Sequence, residues 1–217
     1  MFTEFFKSSF NDANKDMAFT NLVTNTLAKP KYNDDKLTEI TGMNFESKFN
    51  KDFIPSMIYT FQYETKKKDK INKVSFIDYV PLVLCFTSDT KYITGLNFNL
   101  IPNSTRAELL DMIYNAYKKF YVDKLSKAVK DNTPIVNEEF ASFLINEHTR
   151  TEFLKIVSEK LKYNINKTYR KYDKTKIKNA RLIEFDMWKY IPMLVFDDAV
   201  RGADLVSIQK AIINSTK

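Results

Sequence analysis

The segment KLKYNINKTYRKYDKTKIKNAR, Lys160 to Arg181, carries nine Lys and Arg residues against a single acid, Asp173. Tyr163, Tyr169 and Tyr172 are interleaved with the cations. Ammonium and guanidinium groups release counterions from a phosphate backbone, and tyrosine rings stack on bases. This composition therefore nominates Lys167, Arg170, Lys171, Lys174, Lys176, Lys178 and Arg181 as contacts to DNA or RNA, double-stranded DNA included, without sequence readout. The competing expectation is a solvated loop facing acidic partner subunits. A second basic run, KKKDKINK (Lys66 to Lys73), suits a solvated hairpin tip better than a binding site.

Other side chains capable of chemistry are sparse. His148 is the only histidine and lacks a Gly-x-Ser-x-Gly elbow, so it is expected at a helix end, stabilised by the local dipole. Cys85, the only cysteine, lies in an apolar run, where a thiol acts as a small hydrophobe rather than a nucleophile. One Cys and one His exclude a zinc set built on those residues. The adjacent carboxylates Asp34–Asp35, Glu138–Glu139 and Asp197–Asp198 diverge on a strand or a helix, which disfavours a two-acid site within any pair. A Mg²⁺ nuclease assembled from distant acids is the least favoured expectation. With only three glycines (Gly42, Gly95, Gly202), no phosphate-cradling loop can be written. No catalytic residue, cofactor or metal is assigned.

Composition narrows the class further. The chain has 217 residues, 44% hydrophobic and 28% charged, which is enough to fold around a sizeable core. A net charge of +7 favours an anionic neighbour. A lone cysteine forms no intrachain disulfide and fits synthesis in a reducing cytosol. The opening residues MFTEFFKSSFNDANKD do not follow the secretory pattern, so export is not expected. The apolar run from Phe76 to Phe86 is interrupted by Asp78 and is shorter than the roughly 18 to 20 residues that cross a bilayer. No membrane partner is expected.

These groups must be held by elements legible in the periodicity. Residues 1–50 read as an extended N-terminal arm with a short helix in AFTNLVTNTLAKP, and 51–217 as a single α+β domain. Residues 55–101 read as sheet. SMIYTFQYE alternates Met57, Tyr59, Phe61 and Tyr63 against Ile58, Thr60, Gln62 and Glu64. YVPLVLCF is a strand covered on both faces, with Pro81 at its start. YITGLNFNLI returns with Tyr92, Thr94, Leu96, Phe98 and Leu100 on one side. Residues 105–163 read as helices. The long first helix, Thr105 to Lys130, is capped by Thr105 with Glu108 and has an apolar face of Leu109, Met112, Ile113, Ala116, Tyr117, Phe120, Tyr121, Ala128 and Val129. Tyr114, Tyr117 and Tyr121 are expected in the core or a subunit contact. A second helix starts at Asn137 and a third is capped by Thr149 with Glu152. The basic segment follows, and a final helix has Leu205, Val206, Ile208, Ile212 and Ile213 as apolar positions. The expected architecture is a small antiparallel sheet or open barrel packed against a long helix, with a helical C-terminal part.

The order of features from Ile58 to Leu110 resembles a known pattern. A strand ending in Tyr63, a lysine-rich tip, DYVPLV (Asp78 to Val83), GLNF (Gly95 to Phe98), and Pro102 then Arg106 opening a long helix are similar to small structural proteins of tailed bacteriophages. KIKNARLIEFDMWKYIP resembles the end of these proteins, and the two blocks cover about half of the chain. Such proteins occur in the head, neck and tail assemblies of myovirus-like and crAss-like phages, as ring or connector subunits or DNA end protectors. The resemblance implies a non-enzymatic virion protein, assembled in the bacterial cytoplasm as a homo-oligomeric ring beside other portal, neck or tail proteins. The alternative it implies is a DNA-binding genome-end protector or head-completion protein.

Overall fold

The computed structural model describes residues 3–4, 53–121, 147–183, 188, 190–192 and 199–216. The expected arm helix near residues 18–30, the helix from Asn137, the continuation of the first helix to Lys130 and the three carboxylate pairs lie outside the described residues.

The described chain is mixed helix and antiparallel sheet. β1 (Ile58–Tyr63), β4 (Leu82–Ser88) and β5 (Tyr92–Asn97) are flanked by β6 (Tyr169–Asp173) and β7 (Ile177–Ile183), in the order β6-β5-β4-β1-β7. β2 (Asp69–Ile71), β3 (Val74–Asp78) and β8 (Val200–Arg201) form a second sheet in the order β2-β3-β8. Three α-helices are described: α1 (Asn103–Tyr121), α2 (Glu147–Leu161) and α3 (Leu205–Ile213).

The period-2 pattern of β1 places Met57, Tyr59, Phe61 and Tyr63 in one apolar cluster and Ile58 in another. β4 divides likewise: Leu82, Leu84 and Phe86 face one cluster, Val83 and Cys85 the other. The continuous apolar run is thus a strand buried on both faces. On one face the helices cover the sheet through Leu109, Leu110 and Ile113 of α1, Leu154 and Val157 of α2, and Ile208 and Ile212 of α3. On the other, Phe53, Tyr59, Phe61 and Tyr172 pack edge to face, with ring centroids 4.9 Å apart for Phe53–Tyr59 and 5.2 Å for Phe61–Tyr172. Such pairs add about 0.5–1.5 kcal/mol each beyond area burial.

Several boundaries differ from expectation. The basic segment contributes both edge strands of the larger sheet, joined through the one-turn 3₁₀ segment Lys174–Lys176. Lys66–Lys73 is not all hairpin tip: Asp69–Ile71 is strand, and the tight turn is Asn72–Lys73, with Asn72 at φ 53° in the left-handed region. Asp78 ends β3 and Leu82 starts β4, so the apolar run serves two sheets. β5 stops at Asn97, whose side chain caps a 3₁₀ turn over Phe98–Leu100.

The expected capping boxes are absent as caps. α1 begins at Asn103, with the Arg106 N–H donating to Pro102 O at 2.9 Å, so Thr105 and Glu108 are interior. α2 begins at Glu147, which puts Thr149 and Glu152 inside the helix. Asp204 caps α3 by accepting from Ser207 N at 2.8 Å. Val206 and Ile213, expected to be apolar contacts, are 56% and 40% exposed, because Ala211 shares the buried face with Ile208 and Ile212. Tyr114 packs partly against the core, whereas the side chains of Tyr117 and Tyr121 lie outside the described residues. Thr3 N and Oγ1 donate to Asp111 Oδ2 on α1, at 3.0 and 2.5 Å.

Candidate functional site

Strand alternation divides the basic segment, because successive side chains on β6 point to opposite faces. Arg170 turns inward. Its Nη1 donates to Lys167 O at 2.8 Å and Tyr169 O at 3.0 Å, its Nε lies 3.8 Å from Asp69 Oδ2, and its guanidinium stands 5.8 Å from the Phe76 ring. Lys178 pairs with Glu64 at 2.9 Å. Arg181 is half-buried on β7 opposite Thr60, and Lys167 is exposed on the 3₁₀ turn Ile165–Thr168, apart from the β6–β7 connection.

Lys171, Lys174 and Lys176 lie on β6 and the turn that follows it, the Lys174 ammonium standing 5.9 Å from the Phe53 ring, and a residue outside the segment adjoins them. Lys174 N donates to Lys91 O at 2.9 Å, tying the β6–β7 connection to the β4–β5 turn. Lys91 and Lys171 place their ammonium groups 5.2 and 3.9 Å from the centroid of the Tyr92 ring. The acids here are held by the turns themselves. Asp89 accepts from Lys91 N and Tyr92 N at 2.7 and 2.6 Å, and Asp173 accepts from Thr175 N and Oγ1 at 3.0 and 2.8 Å. These hydrogen bonds pull both carboxyls below the usual range, and nearby lysines add to the effect.

The three tyrosines of the segment do not stand ready to stack on bases. Tyr163 is buried and donates to Leu100 O at 2.6 Å, Tyr172 is buried and donates to Asp78 Oδ2 at 2.6 Å, and Tyr169 packs on Phe86. Their apolar rings gain more from the two cores than from solvent.

A second constellation, built from residues that carry the resemblance but were not expected to share a site, lies where the two sheets meet. Asp78 is 2% exposed and accepts at Oδ2 from both Asn97 Nδ2, at 2.8 Å, and Tyr172. Its Oδ1 has no hydrogen-bond partner. Burial pushes the Asp78 carboxyl up to about 6, against the opposing pull of the Tyr172 hydroxyl and the Arg170 charge. Asn97 Oδ1 accepts from Asn99 N at 3.0 Å, and Asn99 Nδ2 donates to Val80 O at 2.8 Å. Arg106, 1% exposed, then ties three segments by donating from Nε to Ile101 O at 2.7 Å and, more weakly at 3.4 Å, to Ile191 O and Asn99 O. Burial lowers its ionisation to about 10, so it stays charged at neutral pH. In the sequence, the signs of this joint are the acid that breaks the apolar run at Asp78, Asn97 and Asn99 in an otherwise apolar return strand, and Arg106 after Pro102.

The remaining candidates are structural. Cys85 is fully buried and burial pushes its thiol up to about 12, so it is not a thiolate at neutral pH. His148 lies in the first turn of α2, where the helix dipole favours anions, so the expected dipole stabilisation fails. Its ring instead faces Glu152 at 3.4 Å, one turn on. Among the described residues, no group of three or more His, Cys, Asp or Glu side chains is placed to hold a metal, and no helix is long and apolar enough to cross a membrane.

No family model, curated protein or solved structure matches this chain.

Proposed function

We propose that this chain is a non-enzymatic structural protein of a tailed bacteriophage particle. It is a multi-copy ring or connector subunit in the portal, neck or tail assembly through which genomic DNA passes. The observation that carries this reading is where the motif residues sit. Asp78 of DYVPLV, Asn97 of GLNF and Arg106 after Pro102 are the residues of the phage-like pattern, and all three are buried in the joint between the sheets and α1. Apart from Asp78 Oδ1, their side chains are engaged with backbone and neighbouring side chains, which suits a role in rigidity rather than turnover.

In this proposal the larger sheet works as an open barrel, since its two edge strands are consecutive and linked through Lys174–Lys176. A rolled sheet protects its edges and resists shear, as a subunit of a pressurised conduit must. α1 serves as the long helix packed on that barrel, and terminal extensions clamp adjacent subunits. Native mass spectrometry of the purified full-length chain, alone and with portal and neck proteins of the same particle, tests the proposal. A closed oligomer of defined copy number, alone or templated by those proteins, is the expected result. A monomer under every such condition would count against it.

The exposed lysines around Tyr92 favour a second reading, a genome-end protector or head-completion protein. Selective protection of linear duplex ends from exonuclease would establish it, and equal protection of internal sites would remove it.

A further inference from the structure

We infer that Lys91, Lys171, Lys174 and Lys176 form one polyanion-binding surface whose ligand is the phosphate backbone of duplex DNA. The inference rests on the reading above for the source of the duplex, and it names the ligand of that surface. Two stretches more than seventy residues apart in sequence are brought to one end of the sheet by the Lys174 N–Lys91 O hydrogen bond and by the β5–β6 pairing of Tyr92 with Asp173. Lys91, Lys171 and Lys176 are exposed and Lys174 is half-buried. Among the described residues, none of the four ammonium groups lies within ion-pair distance of a carboxylate. The local acids, Asp89 and Asp173, each accept two turn hydrogen bonds at Oδ1, so the four cations stand beside two carboxylates and leave the patch with a net positive charge. The exposed run Lys66–Lys68 adjoins this end, because Glu64 N donates to Lys176 O at 2.9 Å.

Two features choose the ligand. The Tyr92 ring is occupied by two ammonium groups, at 3.9 and 5.2 Å, so it holds cations in place rather than offering a face to bases. Contact therefore runs through phosphates and reads no sequence. The large apolar residues exposed among the described ones, Ile156, Val206 and Ile213, all lie on α2 and α3, so this end has no apolar core of the kind that anchors a protein partner. Point charges with no exposed apolar centre among the described residues suit a polyelectrolyte, whose condensed counterions are displaced on contact.

The test is binding of the full-length protein to a labelled random-sequence duplex across a salt series. K91Q/K171Q/K174Q/K176Q is compared with K155Q/K160Q/K162Q/K210Q, which removes the same charge from exposed positions elsewhere. If all four lysines contact phosphates, the first variant flattens the log–log salt dependence by about 0.9 per lysine and weakens binding by about 100-fold or more near 0.1 M salt. The control variant keeps the wild-type slope and loses less than about tenfold. Equal losses in both variants would mean net charge alone is at work and would overturn the inference. Polyglutamate displacing the duplex as well, charge for charge, would also overturn it and assign the surface to an acidic protein. Circular dichroism confirms that both variants fold. A variant that still assembles yet binds DNA like wild type sinks this inference alone, whereas loss of wild-type assembly sinks the earlier reading.

Discussion

Asp78 makes protein stability depend on pH in a direction opposite to that of most carboxylates. Burial raises its ionisation from 3.8 to about 6, so the folded chain binds the proton more tightly than the unfolded chain does. Stability from this group is full below the unfolded value and is lost as pH rises through about 6. At 1.36 kcal/mol per unit, the loss amounts to about 3 kcal/mol by neutral pH. The groups around it set that balance: Tyr172 and Asn97 donate to Oδ2, Arg170 attracts the charge, and Asp69 repels it. Asp78→Asn removes the ionisation while its amide oxygen still accepts from Asn97 and Tyr172. Urea denaturation of both proteins, followed from about pH 4 to about pH 7, isolates the effect as a difference, because the exposed Asp89, Asp173 and Asp204 contribute equally to both. The variant gains on wild type progressively through that window and is the more stable protein at neutral pH. Parallel profiles, or a wild type that gains relative to the variant as pH rises, would refute the burial reasoning. Asp78→Ala has another outcome. It leaves Asn97 Nδ2 and the Tyr172 hydroxyl without this acceptor, each at a cost of about 1–3 kcal/mol, and destabilises the protein at every pH.

Further outcomes follow from packing. Gly95→Ala places a Cβ against the Leu84 carbonyl oxygen and 2.7 Å from Val83 Cγ1, so calorimetry of this variant shows a fall of several degrees in Tm or no cooperative transition. Arg106→Ala removes the donor to Ile101 O and its weaker bonds to Ile191 O and Asn99 O and opens a void, and urea unfolding registers a loss of about 3 kcal/mol or more. Cys85 stays unmodified by a thiol reagent in native buffer and reacts fully in denaturant, as followed by intact mass, because the thiol is both buried and held neutral.

Periodicity revealed the parts of the fold in which one local rule dominates. The alternation in SMIYTFQYE and the continuous apolar run in YVPLVLCF correctly specify which β1 and β4 residues face each core, since side-chain direction on a strand is fixed by parity. Helix starts were less legible. Thr105–Glu108 and Thr149–Glu152 both fit a capping box, yet α1 starts just after Pro102, and Thr149 and Glu152 lie within α2. The basic segment was misleading for a related reason. Nine cations in one run look like one surface, but strand geometry sends Lys171 outward and Arg170 inward, and Lys178 is paired with Glu64. Lys91 joins the surface through β5–β6 pairing and the Lys174 N–Lys91 O hydrogen bond, which no sequence period announces. Asp78, Asn97 and Arg106 meet through pairing between distant segments, so their shared environment emerges only once the chain is folded.

The proposal that this chain builds a particle rather than transforms a substrate is tested most directly by locating it in mature phage. Cryo-electron microscopy of purified particles, with copy number checked by quantitative mass spectrometry against the portal protein, should find a ring of this chain around the DNA conduit. Its absence from purified particles, with the protein confined to the host cytosol during infection, would contradict the account.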